Sequence, residues 1–276
     1  MFFCFITFFK KIPCNVFSIA LVYIYRKKCN SINMKMIKWF VLGFGLVFAA
    51  LVLNSCNNDD GYSLDKAWYS IATVNPSDDS KSFWLSLDSG TSLWPVATNI
   101  PGYNPKEKQR AFVIYSLLSD EFYGYDHAVK ILDLKSILTK PVAENLGKEN
   151  DDTYGTDPVD IAEMWIGDGY LNIVFEFNYG GNAVHYINLL ASESPDTPYS
   201  FEFRHHAYND SERYSKKGIA AFDLSSINTR GEEVELLISV NTFEGSKQYS
   251  IKYNSSTVSD DVHAQNYLME SFIETK

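Results

Sequence analysis

Residues 160–179 read DIAEMWIGDGYLNIVFEFNY. Two apolar runs meet at Asp168-Gly169, the strongest kind of short hairpin signal, because a two-residue type I′ turn needs positive φ at both central positions. In the second run Leu171, Ile173, Phe175, Phe177 and Tyr179 alternate with Asn172, Glu176 and Asn178. A period of two puts the first set on one face and the second on the other, as in a half-buried strand of a sandwich. The stretch therefore decides for antiparallel β structure.

The same reading extends in both directions. Seven strand-like runs follow one another at 160–166, 170–179, 184–191, 199–208, 217–224, 234–242 and 247–254. Gly180-Gly181-Asn182 and Glu244-Gly245 mark turns between them. Seven strands at this spacing predict an antiparallel β-sandwich over 159–276. Its tail, 262–275, carries Tyr267, Leu268, Phe272 and Ile273 and is expected as a short helix or a last strand. Upstream, five runs at 67–74, 82–88, 92–98, 110–118 and 127–134 suit a small OB-like barrel over 62–142. Asp88-Ser89-Gly90 is a tight turn within it, and Asn99–Lys108 is a loop with two prolines and a glycine. Residues 143–158, polar, acidic and turn-rich, are expected as a linker. The fold class is all-β, with a five-stranded barrel followed by a seven-stranded sandwich.

The amino-terminal quarter has another character. Trp39–Leu53 is a 15-residue apolar run preceded by Lys35 and Lys38 and followed by Leu53-Asn54-Ser55-Cys56. The run is short for a membrane span and suits a signal-peptide core. An aliphatic residue three before a cysteine and a small one directly before it resemble a lipobox, which makes Cys56 the expected lipidation site and a lipid the expected link to the membrane. Asn54 departs from the usual small or apolar residue. Residues 34–55 are then the signal peptide and 56–61 the tether. Residues 1–33 are expected to be an upstream extension outside the true reading frame start, with translation beginning at Met34 or Met36; a membrane hairpin is the alternative. The acidic run Asn57-Asn58-Asp59-Asp60-Gly61 resembles the export signal of surface lipoproteins, which favours display on the outer membrane's outer face, with the periplasmic face as alternative.

Charge divides at the same place. All seven charged residues before Cys56 are basic, so 17 of the 24 Lys and Arg and all 34 Asp and Glu lie beyond it, a net of −17. Such a body repels nucleic acid. The cysteines are Cys4, Cys14, Cys29 and Cys56, so the folded body has no disulfide and no thiolate metal site.

No catalytic, cofactor or metal residue is nominated. His205 and His206, adjacent on a strand, point to opposite faces. His205 falls with Phe201 and Phe203, His206 with Glu202 and Arg204, and a facing strand could bring His185 or a carboxylate to one of them. The pairs Asp59-Asp60, Asp78-Asp79, Asp151-Asp152 and Asp260-Asp261 fall in expected loops, where Asp favours turns, and none has the spacing of a calcium loop. No G-x-S-x-G, phosphate loop or dinucleotide fingerprint occurs. The aromatics Trp68, Trp84, Trp94 and Trp165 either fill cores or form a sugar-stacking platform, and alternation turns Trp84 away from Phe83, Leu85 and Leu87.

The run Met164–Ile173, with His185-Tyr186-Ile187-Asn188-Leu189 and Ala221-Phe222-Asp223-Leu224-Ser225-Ser226, resembles the NigD-like lipoproteins of the Bacteroidota. The resemblance covers essentially all of 56–276. It implies an OB-like domain followed by a β-sandwich, and, through a bacteriocin gene neighbour, an immunity role. It carries no catalytic residues. The expected function is a non-enzymatic, membrane-anchored envelope lipoprotein that binds a protein partner, with glycan capture as the alternative.

Overall fold

The computed structural model describes residues 66–77, 82–192 and 196–255. The signal peptide, Cys56, the tether, the tail 262–275 and the pairs Asp59-Asp60, Asp78-Asp79 and Asp260-Asp261 lie outside them.

The barrel is built from β1 (Trp68–Pro76), β2 (Phe83–Leu87), β3 (Ser92–Thr98), β4 (Gln109–Phe122) and β5 (Tyr125–Ser136), closed in the order β1-β2-β3-β5-β4. Alternation fills it. Val74, Leu85, Leu93, Val113 and Ile131 point inward and are fully buried.

The second part has two four-stranded sheets. One comprises β6 (Leu138–Pro141), β7 (Asp160–Gly167), β8 (Tyr170–Tyr179) and β11 (Tyr214–Asp223), ordered β6-β11-β8-β7. The other comprises β9 (Tyr186–Ala191), β10 (Ser200–His206), β12 (Val234–Thr242) and β13 (Gly245–Tyr253), ordered β13-β12-β10-β9. Between them lies a core of Leu171, Ile173, Phe175, Leu189, Phe203, Phe222 and Ile238, among others. Asp168 and Gly169 have φ of 48° and 78°, the two positive values the hairpin signal demanded.

Three expectations need correction. The sandwich among the described residues has eight strands, because β6 joins it, and the sheets are mixed. β6 pairs in parallel with β11, and β10 pairs in parallel with β12. The sequence reading missed β6 because four residues with a proline carry no period. The stretch 143–158 does more than connect. It contains a 3₁₀ turn (Gly147–Glu149) and a short helix, α1 (Asn150–Tyr154), and Ala143 bridges Leu190 of β9. Finally, β8 is not half-buried. Residues 170–175 are buried on both faces, because the outer face of its sheet packs on the barrel.

That packing forms a seam. Ile71 of β1 and Phe112 of β4 meet Trp165, Tyr170, Val174 and Ala221, with Ile137 at the crossing from β5 to β6. A polar cluster is embedded in it. Arg110 is fully buried and pairs with Asp88, which sits in the turn after β2. Trp165 Nε1 donates to the other carboxylate oxygen at 2.9 Å, and Arg110 also donates to Thr73 Oγ1 at 3.0 Å. The Tyr170 ring lies 5.1 Å from the guanidinium carbon. Gly167 is required because a Cβ there would overlap the Asp88 carboxylate. Asp168, at the hairpin tip, has its carboxyl pushed up by burial, against hydrogen bonds to Thr73 and Ser86 and the Arg110 charge.

Two outcomes follow. Removing Arg110 leaves Asp88 buried beside the indole with no countercharge, so Arg110→Met should lower the unfolding free energy measured in urea by about 3–5 kcal/mol, the range for breaking a buried pair. Asp168 behaves in the opposite way. A raised folded-state carboxyl contributes stability below its unfolded pKa that is lost as pH rises through the folded value. Asp168→Asn, which keeps an acceptor and suits positive φ, should raise the melting midpoint at pH 7, with the gain shrinking as pH falls toward 4.

Candidate functional site

The site begins with a carboxylate. Asp210 lies in the loop between β10 and β11, and its side chain is 1% exposed. One oxygen accepts the backbone N–H of Gly180 at 2.7 Å and of Gly181 at 3.0 Å; the other accepts Asn182 at 3.1 Å and Ser211 at 2.8 Å. Asp210 thereby ties the β8–β9 loop to the β10–β11 loop. Gly180 is needed at this junction because a Cβ there would overlap Ser211.

A histidine chain continues inward. His185 Nε2 lies 3.2 Å from Asp210 Oδ2, and its Nδ1 lies 2.9 Å from Nε2 of His205. With Asp210 ionised, His185 donates to it and accepts from a neutral His205. The two rings pack with Phe177, whose centroid is 5.1 Å from that of His185 and 5.6 Å from that of His205. Burial, then the proximity of His185, pushes the His205 pKa down. Burial raises that of Asp210, but the donated hydrogen bonds from Gly180, Asn182, His185 and Ser211 outweigh it and hold the carboxylate well below the usual range.

Other segments close on the same end. The backbone N–H of Asp157 donates to the His205 carbonyl at 3.0 Å, and Asp157 Oδ2 accepts from the N–H of Ala207 at 2.6 Å. Gly155, with φ of 74°, passes so close to His206 that a Cβ would overlap it. Arg204 reaches back to Asp151 of α1 at 2.7 Å and to Glu202.

This frame presents an aromatic rim. Tyr186, Tyr208, Tyr214 and Phe243 are each 44–64% exposed, beside Val184 at 72%. Tyr208 stacks on His206, with centroids 3.7 Å apart and planes 3° from parallel, and it meets Tyr186 edge-on. Exposed tyrosines at strand ends and on a loop tied down by buried hydrogen bonds make a recognition surface at little conformational cost. The relay ends at the His205 ring, which packs on Phe177 and faces the Asp157–Pro158 segment. Among the described residues no three His, Cys, Asp or Glu side chains converge as metal ligands.

His205 is buried at 3% and His206 faces outward, as alternation requires, and the partner His185 comes from the β8–β9 loop. Asp151-Asp152 sit in the first turn of α1, not in a loop. Ser89 is a turn residue, bonded to Thr91 Oγ1 at 3.0 Å. Trp165 is buried in the seam, whereas Trp84 and Trp94 are half-buried on the barrel exterior and Trp68 is exposed. Asp210 escaped the sequence reading. The signal available was its place in Asn209-Asp210-Ser211, opposite a Gly-Gly-Asn turn.

A closed five-stranded barrel joined to a two-sheet sandwich defines a class of two-domain all-β proteins, and sequence comparison places the chain within it. Residues 71–137 match the NigD-like N-terminal OB domain and 141–253 the NigD-like C-terminal β-sandwich domain. A toxin-related protein from Parabacteroides distasonis is 43% identical, with a TM-score of 0.64 over 75% of this chain and 99% of that one. A protein of unknown function from Bacteroides vulgatus is 25% identical, with a TM-score of 0.60 over 69% and 92%. A NigD-like immunity protein from Bacteroides caccae is 21% identical, with a TM-score of 0.53 over 71% and 100%, and so shares the fold. No curated protein matches the chain. The chain belongs to the NigD-like family.

Acid should loosen this end. The lowered folded-state pKa values of His205 and Asp210 give stability that is present above the unfolded values and lost as pH falls. The unfolded value for His is about 6.5, so the loss between pH 7 and 5 belongs to His205. Hydrogen exchange of amides in 180–185 and 207–213 should accelerate over that interval relative to the barrel strands. His205→Gln should flatten the dependence.

Proposed function

We propose that this chain is a non-enzymatic lipoprotein of the cell envelope, held to the membrane by a lipid on Cys56, that binds a protein partner through the tyrosine-rimmed end of its sandwich. The carrying observation is that rim. Tyr186 and Tyr214, at the first positions of β9 and β11, and Tyr208, in the β10–β11 loop, stand exposed beside the loops that Asp210 and the His185–His205 pair tie together. Aromatic residues in that setting supply most of the binding energy of protein interfaces. Loops on a rigid β scaffold are where recognition residues gather. Display at the outer membrane, facing the surface, suits the acidic run after Cys56; the periplasmic face is the alternative. Bacteriocin immunity is the specific form of the reading. It is supported by the immunity description of the Bacteroides caccae neighbour and the toxin-related description of the Parabacteroides one.

The test has two parts. Cys56→Ser should abolish incorporation of labelled fatty acid and move the protein out of the membrane fraction. In cross-linked capture from native cells, a discrete protein should be recovered with the wild type and reduced at least about tenfold by Tyr186→Ala with Tyr208→Ala, the loss expected for an interface hot spot. Recovery unaffected by those substitutions would exclude this surface.

A further inference from the structure

A second exposed surface lies on the barrel, on other strands and built from other residues. The register that pairs Leu85 with Leu93 inside the barrel sets Trp84 of β2 and Trp94 of β3 side by side on its outside. Tyr125, at the start of β5, covers both: its ring centroid is 4.9 Å from that of Trp94 and 5.8 Å from that of Trp84, with planes tilted by 33° and 48°. All three rings are half-buried, so each keeps a face or edge in water. None belongs to a hydrophobic core cluster.

Beside the rings is an open cleft of about 580 Å³, lined by Asp120, Glu121, Tyr125, Asp126 and His127. One of its carboxylates is clasped. Asp126 Oδ2 accepts both the N–H and the hydroxyl of Ser92, each at 2.7 Å, while Asp120 faces His127 Nδ1 at 3.1 Å. The Ser92 hydrogen bonds hold the Asp126 carboxyl below the usual range, so it is an acceptor at neutral pH. The β4–β5 turn that forms the cleft wall holds Glu121, Tyr123 and Gly124 at φ of 43°, 50° and 90°. Tyr123, 91% exposed, stands at its tip.

We propose that this surface binds a neutral saccharide, with a pyranose ring laid on the Trp84–Tyr125–Trp94 step and its hydroxyls donating to Asp126 and its neighbours. The chemistry excludes the main competitors. Three carboxylates around one histidine repel phosphates, sulfates and nucleic acid. A quaternary ammonium is held by rings that wall an open box. Here Tyr125 packs on both tryptophans and fills the space such a box would need. What remains is a stepped apolar surface beside the clasped Asp126 acceptor, which matches the apolar C–H face and equatorial hydroxyls of a sugar.

Affinity electrophoresis tests this with the full chain in detergent, run through gels containing laminarin, yeast mannan or arabinoxylan. At least one polysaccharide should retard the protein. Trp94→Ala and Tyr125→Ala should each weaken retardation by about tenfold, the upper end of a single stacking contact. Trp94→Phe should restore most of it, and thermal melts should confirm that all variants fold. Tyr186→Ala with Tyr208→Ala should leave retardation unchanged, which separates this surface from the sandwich rim. No retardation by any of the three, or retardation insensitive to Trp94 and Tyr125, would overturn the proposal. So would quenching of tryptophan fluorescence by tetramethylammonium without any polysaccharide response, which would mark a cation site.

Discussion

Asp88 and Arg110 are brought together from the turn after β2 and the start of β4, and Trp165 from the other domain closes over them. Much of what distinguishes this fold from two tethered β domains depends on that meeting. A charge pair taken out of water is costly, and its attraction offsets the cost only when further hydrogen bonds complete the shells. The completing groups come from both sides: Thr73 from the barrel, Trp165 and Tyr170 from the sandwich. The Trp165 hydrogen bond and the Tyr170 ring reach the pair only when the domains are docked, and the buried Nε of Arg110 is left without a hydrogen bond. Around it, Ile71, Phe112, Val174 and Ala221 supply apolar contact, which is non-directional, while the ionic cluster sets orientation. The route from β5 to β6 passes through a single residue, Ile137, itself buried in the seam.

A fixed seam shapes what each end can do. The sheet β6-β11-β8-β7 is covered by the barrel on one face and by the second sheet on the other, so residues 170–175 of β8 face no water. The sandwich loops, the barrel exterior and the outer face of β13-β12-β10-β9 remain open to solvent. The sandwich end is held by a carboxylate that takes four backbone N–H groups from two loops, and the barrel exterior by a serine–aspartate clasp between β3 and β5. In both places exposed rings are displayed by buried or clasped polar groups.

Much of the fold was legible because it rests on local periodicity. The Asp168-Gly169 hairpin, the alternation of β2, and the split of His205 from His206 all follow from a two-residue period and turn chemistry. The seam was not legible, for a physical reason. Trp165, Gly167, Asp168, Tyr170 and Asn172 stood out as a distinctive string, and as a string they describe only a good hairpin. Their further meaning lies in what they touch: Asp88 some 77 positions away from Trp165, and Arg110, which reads as an ordinary strand residue. For the same reason Asn172 was assigned to a solvent face and is fully buried. At the candidate site the histidines were visible and Asp210 was not, since an aspartate in a turn is unremarkable until the loop it caps is known. The signal-peptide and lipidation readings concern residues outside those described.

The central claim is that barrel and sandwich form one cooperative body through the buried seam. Native-state hydrogen exchange in low, increasing denaturant tests it directly, by following core amides on both sides, such as Val113 and Ile131 in the barrel and Ile173 and Ile238 in the sandwich. The account predicts that both sets merge into one opening with a common free energy and a common denaturant slope. Barrel amides that exchange through a separate, smaller opening while the sandwich stays protected would contradict it.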